Sequence, residues 1–312
     1  MLIIQNTKNF RIENPTIITI GTFDGVHLGH QKILSRLKEL KDKLGLKTVV
    51  LTFEPHPRKI LFPEQKDLKL ITLVDEKLEL LKKYGVDITV VYPFDKTFSQ
   101  LEVKQYLEGI LVNDLNAKHI VIGYDHKFGK DRKGDITTLK EHASTYNYTL
   151  EEISKKDIDS IAVSSTNIRK AIEEGDIERA NEYLGHPFFL KAKVVKGKQL
   201  GRTLGFPTAN LQTESPDKLI PKIGVYFVEV IVEGETHFGM LNIGVNPTTD
   251  SDYKIKIEVN IFDFEKDIYN KSVTLNFIKK LRDEKKFNNL NELITQLNKD
   301  KESSLALINN MA

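Results

Sequence analysis

Between residues 18 and 34 the chain reads ITIGTFDGVHLGHQKIL: apolar β-formers, then three glycines, an aspartate and two histidines, leading into an amphipathic helix. Gly21 and Gly25 let the backbone turn tightly and approach a ligand closely, and the free amides that open a helix donate to phosphate oxygens. The glycines stand at 21, 25 and 29, a spacing that is neither the dinucleotide fingerprint nor the P-loop. A different phosphate chemistry is implied. His27 and His30, three apart at a helix start, can aim two imidazoles at one group. The plain alternative is that one histidine caps the helix and the other is an ordinary surface residue. A metal pair is disfavoured, because no third ligand is near and Asp24 sits on the turn itself.

A second stretch, SSTNIRKAIEEGD at 164–176, follows a strand-like DSIAV. Ser164, Ser165 and Thr166 suit a helix N-terminus, with Arg169 a turn further on. Hydroxyls, helix amides and a guanidinium together make an anion site; alone, the same residues make an ordinary cap with a solvated arginine.

These residues need elements to hold them. Up to about residue 187, short β-rich runs (TIITI, KTVVLTF, DITVVYP, HIVIGYD) alternate with helical patterns. In the first of these patterns Ile33, Leu34, Leu37, Leu40 and Leu44 share a face. This predicts an α/β Rossmann-like domain over 1–186, a parallel sheet with helices on both faces. After YLGHPFF the helical period gives way to FLKAKVV, GVYFVEVIV, YKIKIEVNIF and SVTLNF, with VEGET as a hairpin turn. A small antiparallel β-barrel is expected over 187–312, with a C-terminal helix that places Leu290, Leu293, Ile294 and Leu297 on one face.

The whole chain narrows the function. Its 312 residues suit two domains. Lysine plus arginine (46) nearly balance aspartate plus glutamate (44), so no bulk field holds nucleic acid or an anionic membrane. The absence of cysteine removes disulfides, thiolate metal sites and cysteine nucleophiles. With no leader pattern and no run long enough to span a bilayer, a cytoplasmic protein is expected, as a monomer or weak homo-oligomer.

The two phosphate-type stretches, in this order, resemble the HxGH and SSTxxR signatures of the nucleotidyltransferase superfamily. With TFEPHPRKIL, VIGYDHKFGKDRKGD, GRTLGFPTANL, GVYFVEV and IEVNIFDFEKDIY, nearly the whole chain is similar to the bacterial bifunctional riboflavin kinase/FMN adenylyltransferases, also called FAD synthetases. The resemblance implies two reactions: riboflavin and ATP give FMN in the second domain, and FMN and ATP give FAD and pyrophosphate in the first. ATP is co-substrate to both, flavins are the substrates and products, and Mg²⁺ is the metal.

In the first domain the resemblance implies that Gly21, Phe23, Asp24 and Gly25 form the nucleotide turn, with Asp24 shaping it. His27 and His30 would donate to the α-phosphate and the leaving pyrophosphate, and Ser164, Ser165, Thr166 and Arg169 would hold the β and γ phosphates. Asp125, Phe128 and Arg132 would lie on the flavin side, and His56 and Arg58 at the substrate entrance. For His56 and Arg58, a proline-bounded structural loop explains the residues equally well.

In the second domain, Thr208 and Asn210 offer hard oxygen donors of the kind magnesium accepts beside ATP phosphates. Gly201 and Gly205, with Arg202 between them, suit a mobile flap. Glu258 falls on the face of its strand opposite Tyr253, Ile255, Ile257, Val259 and Ile261, together with Lys254, Lys256 and Asn260. A solvated strand face explains that pattern, and the resemblance makes Glu258 the catalytic base. The chain departs from the family pattern at His126, Thr249, Asn260 and Asn270; asparagine at 270 tolerates a left-handed turn. Two alternatives compete: an adenylyltransferase whose β-domain is a flavin-binding or regulatory module, against which Thr208, Asn210 and Glu258 argue, and a nucleic-acid-binding α/β protein, against which the charge balance argues.

Overall fold

The computed structural model describes residues 1–5, 7, 10–64, 67–154, 163–197, 201, 204–246 and 254–311. Arg202, Thr249, Tyr253 and most of the DSIAV stretch lie outside them, as do the side chains of Asn246 and Lys254. The chain divides into two compact units, Met1–Ser165 and Thr166–Ala312.

The first unit is built on a six-stranded sheet in the order β1-β4-β3-β2-β5-β6. Its strands are β1 (Leu2–Ile4), β2 (Thr16–Ile20), β3 (Lys47–Glu54), β4 (Ile88–Pro93), β5 (Ala117–Gly123) and β6 (Thr149–Ile153), and every pairing is parallel. The central β2 is buried at every position, as a strand covered on both faces must be. Side-chain alternation divides the core. Ile17 and Val121 point to one face, where Ile33, Leu37 and Leu40 of helix α1 (Leu28–Leu44) meet them. Ile18, Ile20, Leu51, Val90 and Ile122 point to the other, against Leu107, Ile110 and Leu111. Those last residues lie in a helical segment, Val103–Gln105 running into Tyr106–Asp114, whose later turns widen to i→i+5 bonding. Leu44 leaves its expected face: it is 43 % exposed in the last turn of α1, just before Gly45 ends the helix in the left-handed conformation (φ 69°).

Chain order reverses between β2 and its neighbour β5, because β3 and β4 extend one side and β5 and β6 the other. At such a switch point the loops after adjacent strands part and leave a crevice. Three further helices are α2 (Pro57–Leu61), α3 (Val74–Lys83) and α4 (Ile136–Tyr146).

The second unit opens on α5 (Ser165–Glu174), which begins at the division, and α6 (Ile177–Leu184). These helices precede residue 187 yet belong with the barrel. Asn181 donates to the Phe277 carbonyl (2.8 Å) and accepts from the Phe188 amide (2.7 Å), and Lys279 pairs with Glu178 (2.9 Å). The closed barrel runs β10-β11-β8-β7-β12-β9, from β7 (Phe188–Val195), β8 (Ala209–Thr213), β9 (Gly224–Val232), β10 (Glu235–Asn246), β11 (Lys254–Ile261) and β12 (Ser272–Arg282). Glu233 (φ 50°) and Gly234 (φ 86°) make the expected β9–β10 hairpin turn. Asn270 is left-handed (φ 63°), as its turn was expected to require.

Registered neighbours share a face, so Tyr226, Leu241 and Val259 fill the barrel while Val225, Phe227 and Met240 face outward. The outward set does not meet water. Helix α7 (Leu290–Met311) lays Leu297, Leu307 and Ile308 over it, together with Phe206 and Phe262. Asp300, 4 % exposed on α7, takes a bidentate grip from Arg282 (3.0 and 2.8 Å) and pins the helix to the end of β12. Leu290 departs from the expected packing stripe: it is 63 % exposed at the first residue of α7. Ile255 is 49 % exposed, because near the start of β11 its alternation face has run past the covered part of the barrel.

Candidate active sites

The turn after β2 holds three left-handed residues, Phe23 (φ 49°), Gly25 (φ 84°) and Val26 (φ 40°). The conformation is strained for a β-branched valine and persists only where its surroundings over-determine it. They do so here. Buried Asp24 accepts from the amides of Thr72 (2.9 Å) and Ile71 (3.3 Å), and the Gly25 amide donates to Thr72 Oγ1 (2.9 Å). Gln31 donates to the Val26 carbonyl (2.8 Å). Asp24 therefore shapes the turn, as expected.

His27 is the N-cap of α1, its Nδ1 accepting the His30 amide at 3.4 Å. That bond places its proton on Nε2. The capping half of the plain alternative is seen here, but His30 is no ordinary surface residue: the capping histidine stacks on it at 3.7 Å between centroids. Phe23 backs His30 at 4.8 Å. Burial, then His27, then Lys77 push the His30 pKa well below the usual histidine value, and its Nδ1 is buried without a hydrogen-bond partner.

Both histidines line a cavity of about 720 Å³ at the carboxyl ends of the parallel strands, large enough for a nucleotide-sized ligand. Gly21, Phe23, Asp125, Phe128, Arg132, Ser164 and Ser165 line it too. Ser165 Oγ donates to the Asp24 carbonyl at 3.1 Å, which joins the two distant motifs within one unit. Thr166 and Arg169 follow on α5, beyond the division between units, with Arg169 buried. His56 caps α2 by accepting the Arg58 amide (3.2 Å). The cavity wall there is formed by Pro57, Leu61 and Phe62, not by His56 or Arg58. Another wall is aromatic: Phe53, Phe94 and Phe98 meet edge to face or tilted at 5.2–5.5 Å, and Tyr106 stacks on Phe128 at 5.0 Å. Gly134 must lack a side chain, since a Cβ would stand 2.6 Å from the Phe128 ring.

His126 lies 5.8 Å from Phe128 with its Nε2 buried and unpartnered; burial, then Arg132, lower its pKa to about 4. Sequence reasoning missed Lys77, whose buried ammonium reaches the Thr22 carbonyl and Thr52 Oγ1, both at 3.0 Å. A signal was present: Val74, Lys77, Leu78 and Leu81 share the helical face that points inward.

The second cavity, about 350 Å³, lies outside the barrel beneath α7. Register places Asn242, Glu258 and Asn210 in one row across β10, β11 and β8. Lys256 pairs with Glu258 Oε1 at 2.6 Å, and Leu293, Leu297 and Asp300 of α7 line the same cavity, so this strand face is partly covered. Gly201, Thr208, Lys256, Glu258 and Asn260 line the cavity. The buried Asn260 amide donates to the Pro207 carbonyl (2.7 Å) and so positions the strand entry to Thr208. Asn210 packs against Gly197, where a Cβ would fall 2.0 Å from its Nδ2. Gly201 is equally confined, its missing Cβ 2.3 Å from the Phe206 carbonyl oxygen, and Gly205 turns left-handed (φ 81°). Among the described residues no cluster of histidine, aspartate or glutamate could hold a metal ion.

An imidazole pair lines the switch-point cavity of the first unit, and a carboxylate in a row of amides lines the cavity under α7 in the second. Comparison with known proteins gives the family. A family model described as FAD synthetase matches residues 9–167, and one described as riboflavin kinase matches residues 184–308. The bifunctional riboflavin kinase/FMN adenylyltransferase of Listeria monocytogenes is 42% identical, covering 93% of this chain and 91% of its own length. That of Bacillus subtilis is 36% identical over 95% and 93%. A crystal structure described as a macrolide-efflux protein from Streptococcus pneumoniae, 32% identical, superposes with a TM-score of 0.89 over 97% of this chain and 98% of that one. The chain belongs to the bifunctional riboflavin kinase/FMN adenylyltransferase family. It is an enzyme with its FAD synthetase part in the N-terminal region and its flavokinase part in the C-terminal region. No helix among the described residues is long and apolar enough to cross a membrane.

Proposed function

We propose that the cavity after β2 transfers the adenylyl group of ATP to FMN and that the cavity under α7 phosphorylates riboflavin, within assignments of 1–186 and 187–312. The stacked His27–His30 pair, anchored on a strained turn beside an aromatic wall, is the observation that carries this reading. An oxygen of the FMN phosphate attacks the α-phosphorus of ATP, the bond to the β-phosphate bridging oxygen breaks, and pyrophosphate leaves. The nucleophile already carries its charge, so the site needs donors and cations in place but no base. His27 offers Nε2–H to the α-phosphate; His30 takes the leaving pyrophosphate; Ser164, Ser165, Thr166 and Arg169 hold the β and γ phosphates. The isoalloxazine ring packs on the aromatic wall, with Asp125, Phe128 and Arg132 on its polar side, while His56 and Arg58 act by fixing α2.

In the second cavity Glu258 accepts the proton of the ribityl hydroxyl as its oxygen attacks the γ-phosphorus and ADP leaves. Thr208 and Asn210 would hold magnesium through neutral oxygen donors: Thr208 lines the cavity just before β8, Asn210 lies on β8 in the row with Glu258 and packs against the Cβ-less Gly197, and a site with few protein ligands leaves positions for phosphate and water. When bound, the metal supplies charge neutralisation at the transferred phosphoryl group. Gly201 and Gly205 are assigned to ATP and flavin binding beside it, as is Arg202, which lies outside the described residues. The substrates are small soluble molecules, which fits a cytoplasmic monomer or weak homo-oligomer. Efflux, in the description of the pneumococcal structure, is not adopted, because both cavities carry phosphate-transfer donors.

A chromatographic time course of the full chain with riboflavin, ATP and Mg²⁺ tests the reading. FMN followed by FAD supports it. FAD from supplied FMN without phosphorylation of riboflavin reduces the barrel to a binding or regulatory module, and no FAD from FMN removes the first assignment.

A further inference from the structure

We propose that Lys77 is a positioning residue for adenylyl transfer: its buried ammonium clamps the strained turn after β2 and holds a positive charge beside the His27–His30 pair. The inference rests on the adenylyltransferase reading of this cavity. Its geometry stands by itself. Lys77 is 5 % exposed, and its Nζ donates to the Thr22 carbonyl and to Thr52 Oγ1, both at 3.0 Å. Thr52 Oγ1 in turn donates to the same carbonyl at 3.1 Å. Thr22 is the last residue before left-handed Phe23, so α3 and β3 grip the turn at the point where its strain begins. Burial lowers the Lys77 pKa from its ordinary value, and Asp24 and Glu54 offset part of that loss.

A cation so placed acts on its neighbours. His30 has Lys77 on the α3 side and His27 on its own helix, and both oppose a proton on it. Asp125, His126, Lys127, Asp131 and Arg132 line the same cavity. His30 is then a neutral donor in the empty enzyme. The phosphates of ATP are what turn the balance toward its charged form, so charge appears where and when pyrophosphate leaves. A lysine holding only the fold would leave the histidine titration unmoved when its charge is removed from a folded variant.

The test is an NMR pH titration of histidine ring protons in the full chain, with His30 assigned through His30→Gln, comparing wild type with Lys77→Met and Lys77→Arg. In wild type His30 should stay neutral to well below pH 6.5; in Lys77→Met its midpoint should rise, and in Lys77→Arg it should stay near wild type. The kcat for FAD formation from supplied FMN should fall about 100-fold in Lys77→Met and recover in part in Lys77→Arg, with riboflavin phosphorylation unchanged. A folded Lys77→Met variant with wild-type His30 titration or wild-type kcat overturns the proposal. If Lys77→Met does not fold, Thr52→Val decides: about a tenfold fall in kcat is expected from the loosened clamp, and an unchanged kcat overturns the proposal. Wild-type protein that makes no FAD from FMN is a separate failure, of the activity itself, which the titration does not share.

Discussion

In the first cavity two imidazoles stack on a left-handed turn at the carboxyl ends of parallel strands, and a buried ammonium stands behind them. In the second, one carboxylate lies in a row of amides on the outer face of a barrel, held by a lysine and roofed by a helix. The difference follows the nucleophile. A phosphate arrives charged and needs only to be placed against fixed positive dipoles, whereas a hydroxyl must lose a proton. On the proposed assignments, the ionisation state of the attacking group decides whether a phosphate-transfer site is built from donors or around a base.

The largest effect should come from Glu258→Ala. Loss of a general base costs about 10²–10⁴-fold in rate, so riboflavin phosphorylation should collapse while FAD formation from supplied FMN continues. A variant that phosphorylates riboflavin at the wild-type rate would place the base elsewhere and erase the contrast between the sites. The converse is His27→Ala with His30→Ala: donors of this kind are worth about 10²–10³-fold, so riboflavin should be converted to FMN and stop there. A chromatogram of each variant reads both halves of the comparison at once.

The sites were unequally legible in the sequence for a physical reason. The first depends on contiguous residues: Gly21 to His30 form one turn and one helix start, and the local pattern carries nearly all of that geometry. What escaped is contributed from afar. Lys77 reads as one more charge in DEKLELL until its inward face is noticed, and Phe53, Phe98 and Tyr106 reach the cavity from three separate elements. The second site depends on non-local covering. Period-two alternation in YKIKIEVNIF assigns Glu258, Lys256 and Asn260 to one face, but nothing local shows that α7 covers that face and leaves Asn260 buried. Edge strands β1 and β6 escaped as well, since LII is too short and TLEEI too polar to stand out.

A smaller effect sharpens the comparison by pH. His126 is held to a pKa of about 4 by burial, with Arg132 adding to it, against 6.5 when unfolded. Between those values the unfolded chain binds the proton and the folded chain does not. Stability contributed by keeping His126 neutral is therefore complete above pH 6.5 and is lost as the pH falls toward 4, by at most about 3 kcal/mol. His30 acts in the same direction. Urea unfolding of the full chain at pH 7 and pH 4.5 should show the first unit weakening, and His126→Phe should remove part of that loss without abolishing it. An acid sensitivity that the phenylalanine leaves untouched would mean that the His126 ring is hydrated when folded.

The smallest effect concerns the joint between the two motifs of the first site. Ser165 Oγ donates to the Asp24 carbonyl, a neutral bond of the kind worth about 1 kcal/mol. If tethering is its whole role, Ser165→Ala should lower the urea midpoint slightly and slow FAD formation only a few-fold, in proportion to the loosened turn. If the hydroxyl also takes a phosphate oxygen, the KM for ATP should rise beyond what the stability change explains, and Ser164→Ala should show the same rise without the stability loss. The two serines thus separate holding the turn from holding the nucleotide. The second site offers no such separation: Asn210, cradled at Gly197 as a proposed metal donor, stands in the same row as the base and cannot be moved without moving Glu258's neighbour.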